Sequence, residues 1–112
     1  MFSHAGDRRA IASQLLSALD EYDQDLQPLA RGYDPERYAS LAQQFDRLRL
    51  YAGSLPELSL PWVGVLVSRA EMTFNLFRAQ QDANARAEVV AFIERHRTQV
   101  EELRGSCARL IR

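Results

Sequence analysis

Few side chains in this sequence could do chemistry. The two histidines are His4 and His96, and the one cysteine is Cys107. Metal binding needs such ligands clustered, and these lie far apart along the chain. A Glu-x-x-His pair, the helical pattern that holds two metal ions in a bundle, would need a glutamate at position 93, which is Ile93. Glu94 and His96 are two apart and would point to different sides of a helix. The acidic run Asp20-Glu21-Tyr22-Asp23-Gln24-Asp25 lacks the glycine and closing glutamate of a calcium loop. Its Tyr22 also falls on an apolar stripe, so a solvated helix face is expected there. No metal and no cofactor is expected.

Phosphate chemistry fares no better. The five glycines are scattered, and neither G-x-G-x-x-G nor a Walker sequence occurs. A phosphate-accepting histidine needs an exposed ring and small neighbours that admit a docking partner. Arg97-Thr98-Gln99 follow His96, which itself lies on an apolar stripe, so a buried or interfacial, hydrogen-bonded histidine is expected. Buried, it would loosen the fold when protonated. Cys107 lies on the same stripe with no cationic neighbour in view, as expected of an inert buried thiol.

All fourteen basic residues are arginine. The absence of lysine removes Schiff-base chemistry and any P-loop lysine. Arginine favours bidentate carboxylate and phosphate contacts, although GC-rich bacterial coding would produce the same bias. An enzyme built from this set would hold an anionic metabolite among Arg and Glu side chains in a cleft between helices. No nucleophile is favoured, so the expectation is no catalysis.

Charge and composition bound the partners. Fourteen basic residues against fifteen acidic give a net charge of −1, without the positive excess that carries nucleic-acid affinity. Residues 1–60 hold six Arg and nine acids, and residues 61–112 hold eight Arg and six acids, a mild polarity of −3 against +2. No window reaches the roughly 20 apolar residues of a membrane span. No apolar stretch follows the opening Met-Phe-Ser-His-Ala-Gly-Asp-Arg-Arg to make a signal peptide. With a single cysteine, the expected setting is cytoplasmic. A 46% apolar, 112-residue chain suits one packed domain spanning 1–112, with residues 1–6 as a flexible start.

The elements that would position these residues read as helices. Ala12, Leu15, Leu19, Tyr22, Leu26 and Leu29 recur at spacings of 3 and 4, predicting a helix over about 7–29 that Pro28 kinks or ends. Asp34-Pro35-Glu36 is a strong start signal for a second, over about 35–52. Ser54 and Glu57 have capping-box spacing, so a short helical turn is expected inside the connection 54–60. A third helix is predicted over about 61–81 and a fourth over about 84–110. Because no Gly or Pro falls between 65 and 104, one continuous helix is the alternative for the last two. The expected fold is all-α, an antiparallel four-helix bundle.

The third helix is apolar around most of its circumference. Val63, Val67, Ala70, Phe74 and Phe77 form one stripe, while Val65, Met72, Leu76 and Ala79 form another. Gly64, Ser68, Glu71, Asn75 and Arg78 make a narrow polar line. Such a helix must be covered on more than one side, and a second copy of the chain is the cheapest cover. The expected homodimer interface is Trp62, Val65, Leu66, Met72 and Leu76, with Glu71, Asn75 and Arg78 as a polar patch that orients the partner. The expected function is a small bacterial protein-interaction module: a regulator, adaptor or secretion-type chaperone, pairing with itself or with another helical protein. A subunit of an obligate hetero-oligomer is the other possibility.

Overall fold

Four long helices account for most of the chain in the computed structural model, which describes residues 4–112. They are α1 (His4–Leu26), α2 (Pro35–Gly53), α3 (Ser59–Gln81) and α4 (Arg86–Arg109). No strand occurs among the described residues. The helix α1 begins within the stretch expected to be a flexible start, and residues 1–3 of that stretch lie outside the described residues.

Local chemistry explains most of the boundaries. Pro28 ends α1 as expected, and the chain tightens into a 3-10 turn over Gln27–Arg31 that stops at Gly32. The Asp34 carboxylate accepts the amides of Glu36 at 3.0 Å and Arg37 at 3.4 Å, with Pro35 in the first turn of α2. The short helical turn expected in the connection 54–60 is present, but without a capping box at Ser54. The Ser54 hydroxyl bonds the Leu50 carbonyl instead, and a 3-10 turn over Pro56–Leu58 leads into α3 two residues before Pro61. Asp82 breaks α3 from α4 by turning extended and capping a 3-10 turn with its side chain on the Asn84 amide. The long-helix alternative for 61–110 is thereby excluded. Gly105 sits within α4 without interrupting it.

Side-chain pairs fix how the helices lie together. Along α3 and α4 they run Ser68 with His96, Glu71 with Arg95, and Arg78 with Glu88, so partners descend α4 as they climb α3. Between α1 and α4, Arg9 donates to the Ile111 carbonyl, Cys107 to the Ala12 carbonyl, and Arg97 pairs with Asp23. Arg8 pairs with Glu57 at the turn before α3. On α2, Phe45 stacks on Trp62 of α3 with ring centroids 5.2 Å apart, and Tyr22 of α1 meets the same Phe45 ring at 5.8 Å.

The core is one cluster fed by all four helices and all three 3-10 turns. Leu15, Leu19, Leu26, Phe45, Leu48, Val65, Ile93 and Leu103 are fully buried within it. Each contributes about 1.5–3 kcal/mol against exposure. The molecule measures 57 × 24 × 17 Å, longer than the about 35 Å of its longest helices, so the helices are staggered.

Candidate functional site

The centre of the bundle holds a closed polar chain. The Tyr22 hydroxyl lies 2.7 Å from His96 Nε2, and Ser68 Oγ lies 2.8 Å from His96 Nδ1. Ser68 gives its own proton to the Val65 carbonyl at 3.1 Å. Its oxygen must therefore accept from Nδ1–H, which leaves Nε2 to accept from Tyr22. His96 is then neutral, with both ring nitrogens satisfied. Burial, reinforced by the Arg69 charge and opposed by the Asp23 carboxylate, lowers the His96 pKa to about 4. Burial also pushes the Tyr22 phenol above its ordinary range. The Arg69 guanidinium sits 4.0 Å from the centre of the Phe45 ring, roofing this region by cation–π contact.

The chain has the residue types of an acid–base relay but not its geometry. Ser68 and His96 are both buried, and the serine proton is committed to a backbone carbonyl. What the arrangement can do is fix the rotations of α1, α3 and α4 against one another, because each lost bond would strand a polar atom in the core. His96 thus occupies the buried, hydrogen-bonded position read from its stripe.

The helix α3 turns its two apolar stripes to opposite environments. Val65, Met72, Leu76 and Ala79 face inward and belong to this chain's own core. Val65, Met72 and Leu76 are therefore not available to a partner, contrary to their expected interface role. Trp62 is partly buried on Phe45, and only Leu66 of that set is exposed, at 37%. The outward face instead carries Leu60, Val63, Val67, Ala70, Phe74 and Phe77, at spacings of 3, 4, 3, 4 and 3. Leu60 is 86% exposed, Phe74 64% and Val67 55%. Phe77 closes the far edge against Tyr38 of α2, ring centroids 5.9 Å apart. The stripe runs for about 26 Å.

The polar line of α3 lies along α4. Gly64 sits against Gln99, where a Cβ would overlap the Gln99 carboxamide. Ser68 meets His96, Glu71 lies 3.9 Å from Arg95, and Arg78 is 2.6 Å from Glu88. Asn75 is buried and turns its amide back onto the Glu71 carbonyl. The expected polar patch of Glu71, Asn75 and Arg78 is thus a seam within the chain, and its two charged members border the apolar stripe. The small residues Gly64 and Ser68, one turn apart, were the sequence signal for it, since small side chains let a neighbouring helix approach closely.

Among the described residues no three His, Cys, Asp or Glu side chains converge as metal ligands, and no single helix is long and apolar enough to cross a membrane. No protein-family model matches the chain, and no curated protein and no solved structure matches it either.

Proposed function

We propose that this chain is a non-catalytic protein-interaction module: an antiparallel four-helix bundle that pairs with a second copy of itself through the outward face of α3. The observation that carries this reading is the exposed stripe Leu60, Val63, Val67, Ala70, Phe74 and Phe77. Single exposed apolar residues are ordinary on a folded surface. Six at helical spacing along one helix form a continuous seam of the kind that receives another helix.

Two further features support self-pairing. A folded monomer of 12.8 kDa exposes about 6,300 Å², whereas this chain exposes 6955 Å². That excess approaches the about 800 Å² that each partner gives to a standard interface. The radius of gyration, 15.2 Å, also exceeds the about 13 Å of a domain this long. A second copy laid against the plank would bring both toward ordinary values. The Glu71–Arg95 and Arg78–Glu88 pairs give the seam a charged rim that can set its register.

Enzymatic use of Arg and Glu would need guanidiniums turned inward beside a carboxylate. Arg78, Arg95, Arg97 and Arg104 instead pair with acids at or near the surface. The lone buried cysteine agrees with a reducing, cytoplasmic setting.

The test is mass in solution by size-exclusion chromatography with light scattering, at two protein concentrations. The chain should run as a dimer at both. Val67→Arg and Phe74→Arg should each give a folded monomer, while Leu50→Arg, on exposed α2 surface, should leave the dimer intact. A folded wild-type monomer at both concentrations would overturn self-pairing.

A further inference from the structure

Away from the α3 stripe, the turn between α1 and α2 crosses the end of the α3–α4 pair. Beneath it lies a cleft of about 430 Å³, within the about 300–1,000 Å³ range of small-ligand sites. Its floor is apolar: Leu29 from the turn, Leu76 and Ala79 from α3, and Val89 from α4. Its mouth carries Arg31, Tyr33, Gln80 and Arg86, and no acidic residue lines it.

The two arginines differ from their neighbours in having charge to spare. Arg78 and Arg95 of the same helix pair are matched with Glu88 and Glu71. The Arg31 side chain makes no ion pair and no hydrogen bond among the described residues. Arg86 spends only its Nε–H, on the Ala79 carbonyl at 3.4 Å, which leaves its terminal nitrogens free to donate. We propose that this cleft binds a small amphiphilic monocarboxylate, with its apolar tail on Leu29, Leu76 and Val89 and its carboxylate held by Arg31 and Arg86.

The chemistry selects this class. Guanidinium presents paired N–H donors that match the two oxygens of a carboxylate. A cation is repelled at the mouth. A polyanion such as a nucleotide would bring more charge than two guanidiniums match and would waste the apolar floor. A neutral apolar molecule would leave both guanidiniums unused. The site shares no residue with the α3 stripe, so its occupation stands apart from self-pairing.

Decanoate, titrated into the whole chain below its micellar concentration, is the probe, followed by methyl NMR. The methyl signals of Leu29, Leu76 and Val89 should shift and saturate together. Decanol should bind about tenfold more weakly, the loss expected for one charge-assisted contact. The double variant Arg31→Gln/Arg86→Gln, altered only at exposed side chains, should lose that preference for the acid while its affinity for decanol stays the same. Equal binding of acid and alcohol, retention of the preference in the double variant, or no saturation would overturn the proposal. So would shifts confined to Val63 and Val67, which would report adsorption on the α3 stripe.

Discussion

At the scale of single residues the most informative position is His96. Its ring is hydrogen-bonded to two helices besides its own, and burial holds its pKa at about 4 against 6.5 in an unfolded chain. The sign follows directly. Below pH 6.5 the unfolded chain takes up a proton at this ring that the folded chain refuses until about pH 4. Stability at His96 is therefore complete above pH 6.5, falls progressively between 6.5 and about 4, and is level below that. The total is on the order of 3 kcal/mol, since each tenfold difference in proton affinity between the folded and unfolded ring is worth about 1.4 kcal/mol. Urea midpoints measured across that interval should fall for the wild type and fall less steeply for His96→Gln. Equal slopes in the two proteins would remove His96 as the cause. The histidine's inward position was legible from its stripe, but its partners were not. Tyr22 and Ser68 lie on other helices, and no periodicity within one helix states which residue meets which across the core.

Among the elements, α2 and α3 show where reading a sequence succeeds and where it stops. The start of α2 is a local matter of a cap acceptor, a proline and an acid, and all three act where the order of residues places them. Asp34→Ala should cost about 1 kcal/mol and lower the thermal midpoint by about 4–8 °C, as calorimetry would show. An unchanged midpoint would mean that the cap contributes nothing. The case of α3 is different. Its two apolar stripes are both regular, and hydrophobic spacing alone does not say which one the rest of the chain covers. The polar line borders both stripes and does not decide it either. With Gly64 and Ser68 in it, that line seats α4, and the side bearing Val65 and Met72 joins the core. The opposite stripe is left outside, and of the expected interface residues only Leu66 stays exposed.

For the whole molecule, all-helical architecture and four elements of similar length were plain in the sequence. The stagger that makes it 57 Å long was not, because it depends on how far each pair slides before its side chains interlock. Self-pairing through α3 would make the thermal midpoint rise with protein concentration. A midpoint constant over a hundredfold range, in a chain that Val67→Arg leaves equally stable, would argue against it. The Cys107 thiol, finally, donates to the Ala12 carbonyl at 3.0 Å, and burial raises its pKa to about 11. In the closed fold it is neither ionised at neutral pH nor within reach of a reagent. As the chain's one sulfhydryl, it is alkylated only when an opening uncovers it, and lifting of α1 from α4 is the opening that breaks its bond to Ala12. Its labelling rate then counts the openings that expose this one site. An iodoacetamide time course should be slow in buffer and should accelerate in Arg9→Ala, which loses the neighbouring tie to Ile111. Equal rates would mean that the helices part elsewhere first. The sequence thus carries its own single-site clock for the breathing around that thiol.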